Sequence, residues 1–137
     1  YTLKFPTGNV TADRFLKVAS ITGSGTTAVG QLSFAEVSGG TSWQAVKTAN
    51  FTAVAGEGYF CNTTSTAFTL TLPSSPTIGD EVVVIDYAGT FDTNNLTVGR
   101  NSSNIQGSAA DLTVATERAG FTLVYTDGTQ GWLLKNN

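Results

Sequence analysis

The sequence predicts an all-β protein: an antiparallel β-sandwich or jelly-roll-like head behind an N-terminal, intertwined, β-rich shaft segment. Three observations lead there. Stretches such as Phe68-Thr-Leu70-Thr-Leu72 alternate apolar and polar residues with the period of two of a half-buried strand. Clusters of Gly, Pro, Asn and Ser punctuate these stretches at intervals of about 8–12 residues, as in sandwiches and barrels. No 3.6-residue period is sustained anywhere, so no substantial helix is expected.

Residues 1–44 read as the shaft or linker and 45–137 as the head. In the first segment, 15–21 and 31–37 are short strands flanking the Gly/Ser/Thr-rich loop 22–30, and Ser38-Gly-Gly-Thr-Ser42 is a joint. Apolar residues such as Leu3, Phe5, Val10, Phe15, Leu16, Val18 and Ile21 are separated by long Gly/Ser/Thr stretches. Ordering each residue costs about 1–2 kcal/mol, so the segment must lean on something else, either the domain behind it or copies of itself. Gly23, Gly25, Gly39 and Gly40 would permit close backbone approach in a trimer.

In the head, 45–54 is a strand and Gly56-Glu-Gly58 turns into a second at 59–62. Strand 68–72 stops at Pro73, which lacks a backbone donor and fixes φ. Ser74, Ser75, Pro76 and Gly79 lead to its expected partner, 81–87, whose Val82, Val83, Val84 and Ile85 are apolar on both faces. Such a strand is expected to be central and covered on both sides. Short strands follow at 96–98 and 112–114, and 121–126 forms the clearest hairpin with 132–135 across Asp127-Gly128-Thr-Gln-Gly131. Trp132 alternates with Leu134 opposite Phe121, Leu123 and Tyr125 and is expected in the core, whereas Trp43 is the more open tryptophan and a candidate sugar platform.

Composition narrows function. Charged residues make up 12% of the chain, the net charge is −3, and the cationic side chains are scattered. That pattern fits neither nucleic acid nor an anionic membrane, both of which call for clustered Lys and Arg. The longest apolar run, 82–85, is far short of the roughly 20 residues of a membrane helix. There is no histidine, which removes imidazole zinc sites and His-based triads, and the single Cys61 permits no intrachain disulfide. The chain starts at Tyr1 and contains no Met, so it is expected to be cut from a longer polypeptide.

Several motifs fail on context. Gly23-Ser-Gly25-Thr-Thr-Ala28 formally fits a dinucleotide fingerprint, but a strand pattern follows where a helix is required. Asp92-Thr-Asn94-Asn95 begins like a calcium loop, yet Thr97 replaces its glycine and Ser103 its bidentate glutamate. Apart from Asp80-Glu81 the ten carboxylates are spread singly, and adjacent strand residues face opposite ways. No catalytic residue, metal site or cofactor is therefore expected. The five N-x-S/T sequons, at Asn9, Asn50, Asn62, Asn95 and Asn101, reflect an Asn/Thr-rich composition. Loop positions that mix aromatic and polar side chains suit a saccharide: Tyr87, Phe91, Asp92, Asn94, Asn95, Arg100 and Asn101.

Two stretches carry a resemblance. Phe15-Leu-Lys-Val, Gly23-Ser-Gly-Thr and Gln31-Leu-Ser-Phe-Ala35 resemble strand–turn–strand units of distal phage tail fibres. The series Thr71-Leu-Pro, Gly79-Asp-Glu-Val, Thr93-Asn-Asn-Leu-Thr-Val98, Ile105-Gln-Gly107, Phe121-Thr-Leu-Val-Tyr-Thr-Asp-Gly128 and Trp132-Leu-Leu is similar to a C-terminal module of many phage fibres, marine cyanophages included. The resemblance implies a homotrimeric receptor-binding protein of the virion, extracellular, contacting other virion proteins and a host surface polysaccharide or outer-membrane component. It implies binding, not catalysis. Related modules decorate tail fibres, tail tips and capsid fibres, which leaves a structural decoration without receptor binding as the alternative.

Overall fold

The computed structural model describes residues 2–4, 14–22, 29–36 and 40–135. Among them there is no helix, and the fold is all-β. The chain forms two compact units, Tyr1–Gly39 and Gly40–Asn137.

In the first unit, β1 (Thr2–Lys4), β2 (Arg14–Thr22) and β3 (Val29–Glu36) make one sheet in the order β1-β3-β2. β2 and β3 pair antiparallel from Arg14↔Glu36 to Thr22↔Val29, with a bulge between Val18 and Ser20. β1 runs parallel to β3. The two expected strands are thus present and pair with each other. Of the expected loop 22–30, residues 22, 29 and 30 belong to the strands and 23–28 lie outside the described residues. So do 37–39, the end of the second expected strand and the start of the joint 38–42.

The second unit contains β4 (Ser42–Trp43), β5 (Phe51–Thr52), β6 (Glu57–Cys61), β7 (Phe68–Thr71), β8 (Glu81–Asp86), β9 (Leu96–Gly99), β10 (Leu112–Val114), β11 (Gly120–Tyr125) and β12 (Trp132–Leu134). They form a five-stranded sheet, β12-β11-β8-β6-β4, and a four-stranded sheet, β10-β9-β7-β5. Ser42 and Trp43, read from sequence as part of the shaft segment, pair with Glu57 and Gly58 of this unit.

The expectation of antiparallel pairing throughout is corrected. From β4 to β9 the chain alternates between the sheets, laying down one strand in each. Successive strands in a sheet therefore run the same way: β4, β6 and β8 are parallel, as are β5, β7 and β9. Antiparallel strands then close the coil, β10 against β9 and β11 against β8, with β12 on β11. Strands 68–72 and 81–87, expected to pair, lie in different sheets as β7 and β8. Pro73 to Asp80 is a crossover between sheets, not a hairpin loop. Of the expected strand 45–54 only Phe51–Thr52 forms a strand, β5, and Lys47 makes an isolated bridge to Cys61.

The coil works because each strand keeps one apolar face inward. β7 buries Phe68 and Leu70, β9 Leu96 and Val98, β6 Tyr59 and Cys61, and β8 Val82 and Val84. These residues, with Leu72, Phe91, Leu123 and Trp132, form one core to which both sheets contribute. Trp132 is fully buried and meets Tyr125 edge-on, ring centroids 5.5 Å apart, as the alternation in 121–135 predicts. β8 is the middle strand of its sheet, as expected. It is not fully covered on both faces, because Val83 and Ile85 on its outer side remain half-buried.

Candidate ligand-binding cleft

Alternation between sheets gathers the loops at two ends of the coil. Loops 44–50, 62–67, 87–95 and 115–119 lie at one end, and 53–56, 72–80, 100–111 and 126–131 at the other. Cross-loop hydrogen bonds follow this division. At the first end Asn94 Nδ2 donates to the Thr63 and Thr64 carbonyls at 2.9 and 3.3 Å, and Thr63 and Thr90 hydroxyls meet at 2.9 Å. At the second, Asn104 Nδ2 donates to the Thr129 carbonyl at 2.9 Å.

The first end is pinned by Asp86. Its side chain is buried, and its carboxylate accepts from the backbone N–H of Gly89, Thr90, Phe91 and Arg118 at 2.9–3.2 Å. Burial alone would raise its pKa, but the N–H donors of Phe91, Thr90, Arg118 and Gly89 together outweigh it and hold the carboxyl below its ordinary value. Asp86 is therefore a charged clamp joining loops 87–95 and 115–119. Beside it, Cys61 is buried with its thiol pushed up to about 12, first by burial and then by the Asp86 charge. Burial and a raised pKa both disfavour the thiolate, so Cys61 serves as a small core residue.

Immediately outside the clamp is a cleft of about 510 Å³ lined by Val46, Phe60, Ile85, Asp86, Tyr87 and Arg118. Strand geometry builds it. Phe60 and Ile85 are register partners on the outer face of the five-stranded sheet. Tyr87 continues β8, with its N–H on the Cys61 carbonyl at 3.0 Å and its side chain half out in solvent. Trp43 stacks on Phe60 at 4.8 Å between centroids while remaining 46% exposed. That stack requires Gly58, where a Cβ would sit 2.7 Å from the indole Cε3. Exposed rings above a shallow cleft present apolar faces to a ligand, and the Arg118 guanidinium supplies donors at the rim.

The sequence-derived site residues do not form one site. Tyr87 lines the cleft. Phe91 is fully buried in the core, so its proposed role as a ligand platform is corrected: the loop turns the ring inward, where it caps the coil. Asp92 is exposed in the same loop, Asn94 is committed to the 62–67 loop, and Asn95 is half-exposed just before β9. Arg100 and Asn101 lie beyond the other end of β9, about 15 Å of strand away. There Arg100 Nη1 donates to the Ser103 carbonyl at 3.1 Å, and Asn101 Nδ2 to the Leu72 carbonyl at 2.9 Å. Sequence reasoning overlooked Val46, Phe60, Ile85 and Arg118. Nothing local marks Phe60 as outward-facing, but the stiff Val82–Ile85 run did signal that β8 offers an apolar outer side. Among the described residues, no cluster of three or more His, Cys, Asp or Glu could hold a metal ion. Neither protein-family models nor curated proteins match the chain.

Proposed function

We propose that the chain is the distal receptor-binding module of a trimeric bacteriophage tail fibre, attaching non-covalently to host surface glycan. In this reading Gly40–Asn137 is a sandwich-like head and the N-terminal unit an intertwined shaft segment. The observation that carries the binding role is the cleft beside Tyr87, flanked by the exposed, stacked Trp43 and framed by loops of one end of the coil. Shallow aromatic clefts bind sugars weakly, and three copies on one axis would convert weak sites into firm attachment through avidity. The role is binding without chemistry.

Two measurements test this. The full chain on an array of bacterial lipopolysaccharides should be retained, and Tyr87→Ala should abolish retention while leaving the fold intact. A folded chain that binds no glycan would reject the reading. Light scattering should give about three times the 14.3 kDa chain mass. A monomer whose N-terminal unit resists protease would contradict the trimer.

A second reading, a virion decoration without receptor binding, has its own support. Val83, Ile85, Val124 and Leu133 leave the outer face of the five-stranded sheet partly apolar, a surface suited to another protein.

A further inference from the structure

Arg118 stands apart from the other residues of the cleft. Its backbone has φ of 58°, in the left-handed region that costs a non-glycine residue free energy. The conformation is fixed on two sides. The Arg118 N–H donates to Asp86 Oδ2 at 3.0 Å, and Nη1 reaches back to the Tyr87 carbonyl at 3.1 Å. Between these anchors the side chain passes over Gly89, where a Cβ would lie 2.6 Å from Nε. Gly89 itself has φ of +70°, so the position suits glycine for two reasons.

This arrangement delivers a guanidinium to an aromatic cleft and leaves its charge available. Among the described residues the ion pair is Lys135–Glu81 at 3.3 Å, and Arg118 has no carboxylate partner. The acid nearest in the cleft, Asp86, is already occupied: Oδ1 accepts from Gly89 and Thr90, Oδ2 from Phe91 and Arg118. Glu117, the chain neighbour of Arg118, is exposed and free of hydrogen bonds among the described residues. A guanidinium presents a planar fork of donors that matches a carboxylate, while the Tyr87 ring beside it offers a face to the sugar.

We infer that the Tyr87–Arg118 cleft selects a saccharide carrying a carboxylate, a uronic or ulosonic acid, with Arg118 as the specificity-determining residue. This rests on the glycan-binding reading above. It adds the class of sugar.

The test is calorimetric titration of the full chain at low ionic strength. The ligands are oligogalacturonate, oligomannuronate and oligosialate, each beside its methyl ester, with neutral galactose and mannose oligomers and acetate as further probes. The esters keep the ring and remove the charge. At least one acid should bind about tenfold more tightly than its ester, the margin expected of a charge-assisted contact. Arg118→Gly removes the guanidinium and relieves the backbone strain, so its thermal midpoint should hold or rise. In that variant the acid-to-ester ratio should fall from about ten to about one. Arg118→Gln should reduce the ratio in the same way if the glycine alters the loop. Equal binding of acid and ester, a ratio unmoved by either substitution, or acetate binding as tightly as the oligomer would each overturn this inference and leave the glycan reading standing. If no saccharide of either kind binds, both fall together.

Discussion

The outer faces of the two sheets of the second unit rest on the same inner pattern, yet their chemistry is opposite. On the four-stranded sheet the outward residues are threonines: Thr113 pairs with Thr97, Thr97 with Thr69, and Thr71 with Thr52. Among the described residues none of these hydroxyls hydrogen-bonds within the chain; Thr52 and Thr113 are exposed, and Thr69, Thr71 and Thr97 are half-exposed. On the five-stranded sheet the outward positions hold Trp43, Phe60, Val83, Ile85, Val124 and Leu133, partly buried or stacked on each other, with Glu81 and Thr122 as polar members of the face. Both faces suit a strand, since β-branched and aromatic side chains fit a pleated surface. What distinguishes them is solvation. The threonine face needs no partner, whereas the aromatic face leaves apolar surface in water beside a cleft. The inner faces supply stability, and only one outer face offers a reason for binding.

The comparison makes graded predictions. Replacing the inward Trp132 with Ala should cost about 3–5 kcal/mol, because the ring is fully buried and leaves a cavity. Trp132→Phe should cost less than the alanine, since among the described residues the buried indole Nε1 has no hydrogen-bond partner to lose. Chemical denaturation measures both.

Asp86→Asn should come next, at about 2–3 kcal/mol, because a neutral amide has one acceptor oxygen where the carboxylate had two. The same residue sets an acid limit. Its folded pKa lies below the ordinary value of 3.8, so its contribution is complete above that value and is lost as pH falls below it. Acid unfolding of the wild-type chain should steepen in that range, and Asp86→Asn should lack that component.

How much of this could be read from sequence depends on which physical signal each feature leaves. Period-two alternation marked β7 and β9 to β12 and the inward side of each, including Trp132, because burial acts locally on every second residue, whereas β8 read as apolar on both faces. It could not say which strand lies beside which. The alternation of β7 and β8 is the same whether they pair with each other or with β9 and β11, so the coil appeared only in the structure. Parallel pairing follows from Pro73 to Asp80 crossing between sheets, a property of where the chain ends meet. Phe91 was misread for a related reason. It sits in a polar loop, and only the Asp86 clamp shows that the loop bends the ring into the core. Arg118 left no signal beyond the short Thr-Glu-Arg-Ala-Gly turn, since its role depends on contacts with residues about thirty positions away.

Smaller effects separate the two outer faces directly. Phe60→Ala removes the platform under Trp43 and should cost about 1 kcal/mol, with the Trp43 fluorescence shifting to that of a solvated indole. Thr97→Ala should change stability by no more than about 0.5 kcal/mol, since among the described residues its hydroxyl has no partner to lose. A large loss at Thr97 would mean that the threonine face is covered by something in the intact protein.

The most direct test pairs one variant from each face in the same binding experiment. On a lipopolysaccharide array, Tyr87→Ala should lose retention and Thr97→Ala should keep it, both with unchanged far-ultraviolet circular dichroism. Retention that survives Tyr87→Ala, or disappears with Thr97→Ala, would contradict the assignment of binding to the aromatic face.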